Sequence, residues 1–480
     1  MPVAEGRTVA GGIARGGTAV SGTAGADRVG VDLGERVPTQ LRRCGPAASY
    51  SWFVKTPVSD FLEEILSSCA HDTSGALADY IPELANVDPD QFAVALCTTD
   101  GSVYCAGDAD NAFTIQSISK AFVYALALQE HGVDAVVKRV GVEPSGEPFN
   151  ELSLEAGSGR PLNPMINAGA LTCHALIGGL DCDPDERFEK VRQGLSAFAD
   201  RELDVDEAVF ESELADAYRN SAIANMLRSY GVIDGDPADV VRGYTRQCSL
   251  RVTTRDLARM AATLAHGGVQ PATGERVVDT DVVRQVLSVM MTCGMYDAAG
   301  DWMTSCGFPA KSGVSGGILG ALSGQVGLAT FSPRLDDHGN SVRGITLCRR
   351  LSRDMGLHIM NSPEESQSAV RRDRRMRTRD GHLVRILSLQ GELRFSGAEL
   401  VLREIAEDDT DLERLVLDLR RVSSIDRVAG VMIAEGLRRV QQEGCRVVLV
   451  DPDGVLKVPA EHPAPERVEH LDEYRELPRV

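Results

Sequence analysis

The sequence predicts an α/β protein of more than one domain: a sheet combined with a helical subdomain, followed by a separate small α/β domain. Three observations predict this. Strand-like runs lie at both ends of residues 54–361 while helical patterns fill the middle, which suggests a sheet assembled from both ends. Residues 362–379 (SPEESQSAVRRDRRMRTR) then turn polar and charged, as a linker does. Beyond them, over 380–458, strands alternate with helices. A chain of 480 residues also exceeds one ordinary hydrophobic core.

Residues 1–53 are rich in Gly, Ala, Thr and Val with almost no aromatics, which predicts a flexible tail. SDFLEEILSSCAH predicts a helix, with Ser59 as N-cap and Leu62, Ile65 and Leu66 at helical spacing. Pro82 predicts a break after Ile81. QFAVALCTTDGSVYCAGD predicts a hairpin turning at Thr99-Asp100-Gly101. SISKAFVYALALQEHG is apolar on most sides and predicts a buried helix. GVEPSGEPFN and SGRPLNPMINAGA, full of Gly, Pro and Asn, predict loops. A helical region follows from about Ala168 to Leu264, broken by DCDPDER; its TTRDLARMAATLAHGG segment carries an N-cap at Thr254 and a Gly-Gly stop. AKSGVSGGILGAL, QVGLATFSP and SVRGITLCRRL predict strands. In the last domain HLVRILSLQGEL predicts a strand pair, AELVLREIAEDD a helix, RLVLDLRRV a buried strand, IDRVAGVMIAEGLRRVQQEG an amphipathic helix and CRVVLVDP a strand. Residues 459–480 predict an irregular tail.

Composition narrows the function class. A net charge of −20 disfavours general binding to nucleic acid or to anionic membranes. No run of ~18 apolar residues predicts a transmembrane helix. The N-terminus shows no apolar signal-peptide core, so a cytoplasmic location is expected. The 11 cysteines form no Cys-x-x-Cys pair. Free, mostly buried thiols are therefore expected, with no metal and no cofactor.

Ser117 and Lys120 stand three apart at the mouth of the buried helix, so they share one face. A serine hydroxyl is a weak nucleophile until a base takes its proton, and a lysine whose pKa is lowered by burial is such a base. The structural alternative is a helix start with a surface lysine. A distant companion, Lys311-Ser312-Gly313 followed by Gly316-Gly317, matches the strand that lines the site of serine enzymes of the β-lactamase kind. Glycines there let backbone N–H groups approach a ligand.

Longer stretches carry a more specific resemblance. GALADYIPELA, FTIQSISKAF, VGVEPSG followed by FN, PLNPMINAGAL, LAHGG followed by TGERV, MTCGMYD and GFPAKSGVSGGILG stand in this order over about residues 57–360. They resemble the serine-dependent glutaminases of β-lactamase-like fold. The resemblance implies hydrolysis of L-glutamine to L-glutamate and ammonia through a Ser117 γ-glutamyl ester. It implies catalytic roles for Ser117, Lys120 and Tyr296. It implies substrate binding by Tyr80, Ser117, Asn167, Glu213, Asn220, Tyr244, Tyr296 and Val314, and assembly as a homodimer or homotetramer. The residue types suit the chemistry independently: a buried carboxylate such as Glu213 matches an α-ammonium. Neutral donors match the carboxylate and amide without adding charge. Lys120 is the first choice of base, with Tyr296 as relay or alternative base. Each asparagine or tyrosine taken singly reads equally well as a turn or core residue.

LVLDLRRVSSIDRVAGVMI resembles a STAS domain, with Asp418 ending a strand and a helix starting after Asp426. Arg427 and Val428 stand where phosphorylatable members carry Ser or Thr, so a module that binds a protein partner or modulates oligomerisation is expected rather than a phosphorylation switch, with a degenerate spacer as the alternative. Two other functions compete with the enzyme reading. One is a non-catalytic glutamine sensor; the other is a β-lactamase or peptidase-type serine hydrolase.

Overall fold

A computed structural model describes residues 57–146, 151–179, 181–361, 369–378, 381–406 and 412–471. The expected tail at 1–53, the first part of the expected linker at 362–368, and residues 472–480 lie outside the described residues. The chain divides into two compact units, the first ending at Ile359 and the second beginning at Met360.

In the first unit, strands β1 (Ala93–Thr98) and β2 (Val103–Gly107) form the hairpin that the Asp100-Gly101 turn predicts. A short antiparallel pair, β3 (Phe113–Thr114) with β4 (Arg251–Val252), brackets the helical region. Strands β5 (Ala310–Ser312), β6 (Gly317–Leu322) and β7 (Val326–Phe331) come from the far end of the unit. They join the hairpin in one antiparallel sheet of order β2-β1-β7-β6-β5. The expected assembly from both ends is thus realised by the β1–β7 ladder, in which Ala95 faces Ala329.

Period-two alternation gives the sheet two apolar faces. Ala93, Ala95 and Cys97 enter one core, beneath the helices Ser119–His131 and Thr254–Ala265. Val94 and Leu96 enter the other, beneath the helices Pro57–Cys69 and Val342–Met355. The helix Thr254–Ala265 lies close on the sheet because Gly327 leaves it room. A Cβ at Gly327 would stand 2.1 Å from the Ala262 backbone nitrogen. Backbone cannot give way there, so Gly327→Ala is expected to cost about 1–3 kcal/mol, read as a lowered Tm in thermal unfolding.

Several local expectations are corrected. SVRGITLCRRL is not a strand but the start of the helix Val342–Met355. Ser341 caps it by accepting from the Gly344 N–H, Leu347 and Leu351 lie on its buried face, and Gly356 ends it in the left-handed conformation. Helix Thr254–Ala265 is capped by Thr253, not Thr254, in a capping box with Asp256. Ser59 lies inside the helix Pro57–Cys69 rather than before it. Among the described cysteines, nine carry free thiols and seven of these are buried.

The second unit holds strands β8 (Val370–Arg377), β9 (Leu383–Leu393), β10 (Arg414–Ile425), β11 (Arg446–Val450) and β12 (Glu466–Val468). They form one sheet of order β12-β11-β10-β9-β8, parallel except for the β8–β9 pair. The helices Phe395–Ala406 and Arg427–Gln442 bury their apolar sides in the core on one face. Strand β8 falls inside the span read as linker. Its Asp373 pairs at 2.8 Å with the buried guanidinium of Arg385, which also donates to the Glu404 carbonyl. HLVRILSLQGEL is one long strand, β9, rather than a pair, and β12 lies within the expected irregular tail. No helix among the described residues is long and apolar enough to cross a membrane.

Candidate active site

Ser117 sits in a one-turn 3-10 segment, Gln116–Ile118, that feeds directly into the helix Ser119–His131. Gln116 has φ +49, a conformation that side-chain-bearing residues rarely adopt. Such strain is kept only where the surroundings enforce it. Tyr296, in a second 3-10 turn, has φ +56. The two turns meet: the Tyr296 hydroxyl donates to the Ser312 carbonyl at 3.1 Å and is hydrogen-bonded to Ser117. With its own proton on Ser312, the phenol oxygen faces the serine hydroxyl as an acceptor.

Lys120 lies one helical turn inward and is 1% exposed. Its Nζ donates to Asn167 Oδ1 at 2.7 Å and to the Met165 carbonyl at 3.2 Å. Both acceptors are neutral. Burial lowers the pKa of Lys120 to about 8, against a smaller opposing effect of Cys248. A neutral amine has two hydrogens and one lone pair, so in that form it can donate to both acceptors and still accept a proton. Lys311, also buried, donates to the Ser312 carbonyl at 2.7 Å and lies 4.2 Å over the Tyr296 ring. Burial, and then repulsion from Lys120, hold its pKa well below the ordinary lysine value.

The asparagines divide into two kinds. Asn163 is a turn residue: its side chain donates to the Glu143 carbonyl and accepts from the N–H groups of Met165 and Ile166. This turn presents the Met165 carbonyl to Lys120 and starts the helix Asn167–Leu176. Asn167 bridges Lys120 and Asn220, donating to Asn220 Oδ1 at 2.9 Å. On the other side of the site, Glu213 accepts from the Tyr80 hydroxyl at 2.8 Å and from Gln116 Nε2 at 3.2 Å. Burial raises the Glu213 pKa, with the Tyr80 and Gln116 hydrogen bonds opposing it. Tyr244 is buried and hydrogen-bonded to Cys248, and burial pushes its pKa far up. Val314 packs beside Ile81, Leu84 and Val209, next to the Tyr80 and Glu213 segments.

All nine residues expected from the sequence therefore lie in one connected neighbourhood. Sequence reasoning gave no role to Gln116, whose side chain holds Glu213, and read Lys311 and Ser312 as part of the strand lining the site without a separate chemical role for either. Ser312, at the end of β5, is buried against Tyr296, so the Lys-Ser-Gly strand brings a further hydroxyl to the site. A cavity of about 340 Å³, lined by Met165, Ile166, Met291, Tyr296 and Met303 among others, opens beside Tyr296. Among the described residues no cluster of His, Cys, Asp or Glu could hold a metal ion.

Comparison with known proteins adds the family. A glutaminase family profile matches residues 75–360 and a STAS domain profile matches residues 373–462. The glutaminase of Corynebacterium glutamicum is 53% identical over 400 residues, spanning 83% of this chain and 95% of that protein. The glutaminase of Corynebacterium efficiens is 50% identical over 400 residues, spanning 83% and 93%. A crystal structure of Mglu superposes with a TM-score of 0.76 at 49% identity, covering 84% of this chain and 100% of that one. The probable glutaminase ybaS superposes with a TM-score of 0.61 at 39% identity, covering 63% and 99%. With this profile match, these relatives and the shared β-lactamase-like fold, the chain belongs to the glutaminase family and carries a C-terminal STAS domain.

Proposed function

We propose that this glutaminase hydrolyses L-glutamine to L-glutamate and ammonia by acylation and deacylation of Ser117. The observation that supports this most is the buried Lys120 amine, tied to two neutral acceptors one turn from the serine. Ser117 Oγ attacks the side-chain amide carbon and its proton passes to Lys120 Nζ. The oxyanion forms between the N–H groups of Ser117 and Val314. Collapse breaks the C–N bond, the proton moves from Lys120 to the leaving nitrogen, and ammonia departs from a γ-glutamyl ester. Water, deprotonated by the same amine, hydrolyses the ester and frees Ser117. Burial raises the Tyr296 pKa above that of a free phenol, which disfavours a phenolate base. Lys120 is thus the base, and Tyr296 orients the Ser117 hydroxyl by accepting its hydrogen bond.

Glu213 is the proposed partner of the substrate α-ammonium, with Tyr80 and Gln116 holding the carboxylate in place. Asn167, Asn220 and Tyr244 offer neutral groups to the α-carboxylate. Mglu has been solved in a glutamate form, which supports a product-sized site in this fold. Glu213→Gln keeps the shape and removes the charge. It is expected to raise KM for L-glutamine about 10- to 100-fold in steady-state kinetics, as loss of a charged hydrogen bond does. An unchanged KM would remove Glu213 from the ammonium site.

A cytoplasmic homodimer or homotetramer, with a STAS domain that binds a regulatory protein, completes the proposal. Sedimentation of the purified full chain reads the oligomeric state. The sensor reading would require a folded wild type that binds glutamine without turnover.

A further inference from the structure

We propose that Ser119, Gln247 and His174 form a positioning chain that sets the Gln116–Ser117 peptide plane and thereby aims the Ser117 N–H at the developing oxyanion. The proposal rests on the acyl-enzyme reading above and adds the residues that hold its oxyanion donor.

The Ser119 hydroxyl has one proton, which it donates to the Gln116 carbonyl at 2.8 Å. The same carbonyl accepts the Ser119 backbone N–H. Cys248 Sγ is a more distant neighbour of the hydroxyl, at 3.9 Å. Having given its proton to Gln116, the Ser119 oxygen accepts from Gln247 Nε2 at 3.0 Å. That fixes the orientation of the Gln247 amide, whose Oε1 then faces His174 Nδ1 at 3.0 Å. The imidazole must therefore donate from Nδ1, a tautomer assigned from the network. Burial lowers the His174 pKa to about 4, so the ring is neutral near pH 7. The chain runs in one direction, His174 to Gln247 to Ser119 to the Gln116 carbonyl. Ser119 and Gln247 are fully buried and His174 is 1% exposed.

The chain ends on the peptide group that carries one of the two proposed oxyanion donors. A trans peptide is planar, with its C=O and N–H pointing in opposite directions. Fixing the Gln116 oxygen therefore fixes the direction of the Ser117 N–H. Donation to that oxygen also polarises the peptide and strengthens its N–H as a donor. The left-handed φ of Gln116 explains why such restraint is needed, since this residue would otherwise relax. The anchor at the far end is rigid. Gly243 packs against the imidazole so closely that a Cβ there would meet His174 Nε2 at 2.2 Å.

An oxyanion donor acts in the transition state and hardly at all on bound substrate, so loss of aim lowers kcat and spares KM. In steady-state assays of the full chain, Ser119→Ala and Gln247→Met are each expected to lower kcat about 10- to 100-fold with KM changed less than about 3-fold. His174→Asn, which keeps a donor near the Nδ1 position, is expected to retain most activity, whereas His174→Leu is not. Ser119→Ala combined with Gln247→Met is expected to be no worse than Ser119→Ala alone, because one broken chain cannot break twice. Wild-type kcat in folded Ser119→Ala overturns the proposal, as do losses that multiply in the double variant or appear in KM instead. If Ser119→Ala does not fold, the contrast between His174→Asn and His174→Leu decides by the same measure. Failure of the chain leaves Ser117→Ala inactive, whereas failure of the acyl-enzyme reading leaves Ser117→Ala active.

Discussion

Ser117→Ala is expected to abolish glutamate release from L-glutamine, by about 10⁵- to 10⁶-fold, while leaving the fold intact. The size of the effect follows from the chemistry. Without the hydroxyl no ester forms, and Lys120 has no proton to take. What remains is substrate binding and a preformed oxyanion site, which together give only weak catalysis. The fold should be indifferent. Ser117 is buried in a turn whose restraints act on Gln116 and Ser119, and the Tyr296 hydroxyl keeps its bond to the Ser312 carbonyl. Thermal unfolding and glutamine binding by calorimetry should match wild type. Near-normal turnover in a folded Ser117→Ala protein would remove the proposed nucleophile.

Lys120→Met is expected to lower kcat/KM about 10²- to 10⁴-fold, the range of a general base. It should also change the pH profile. The base form of Lys120 is the unprotonated amine, and burial lowers its pKa to about 8. Wild-type kcat/KM is therefore expected to rise as pH increases through about 8, and the Lys120→Met profile to lack that limb. The sign of the stability effect is the opposite of the activity effect. A lysine whose pKa is lowered by folding binds fewer protons in the native state, so it opposes folding at neutral pH and ceases to do so above its unfolded pKa. Lys120→Met should consequently unfold at an equal or higher temperature at pH 7. A variant with wild-type rate and an unchanged basic limb would pass the role of base to another group, with Tyr296 the nearest.

The parts of the molecule legible in the sequence are those where local chemistry and tertiary structure agree. The Asp100-Gly101 turn stands between two apolar runs and makes the expected hairpin. Ser117, Lys120, Asn167 and Tyr296 sit in runs unusual enough to be read as a set, and the fold collects them from three separate segments. The misreadings have physical causes. SVRGITLCRRL has too few residues for helical periodicity to outweigh its β-branched Val342, Ile345 and Thr346. Only the cap at Ser341 and the buried face through Leu351 reveal the helix. VRRDRRMR reads as a solvated linker because the charge that makes it a strand lies elsewhere, in the partnership of Asp373 with Arg385. Gln116 escaped notice because its importance lies in a left-handed φ and a contact with Glu213, 97 positions away. Neither has a signature in residue type or spacing. The same is true of His174 and Gln247, which look like ordinary polar residues on apolar helices until the fold places them behind Ser119.

The central claim is that this site hydrolyses free L-glutamine, and the most direct test is product release by the purified full chain. L-Glutamine is supplied, glutamate and ammonia are quantified together, and a chromogenic β-lactam is run beside them. Glutamate and ammonia in equal amounts, with the β-lactam untouched, is the predicted result. Turnover of the β-lactam alone, or glutamine bound and returned unchanged, would contradict it.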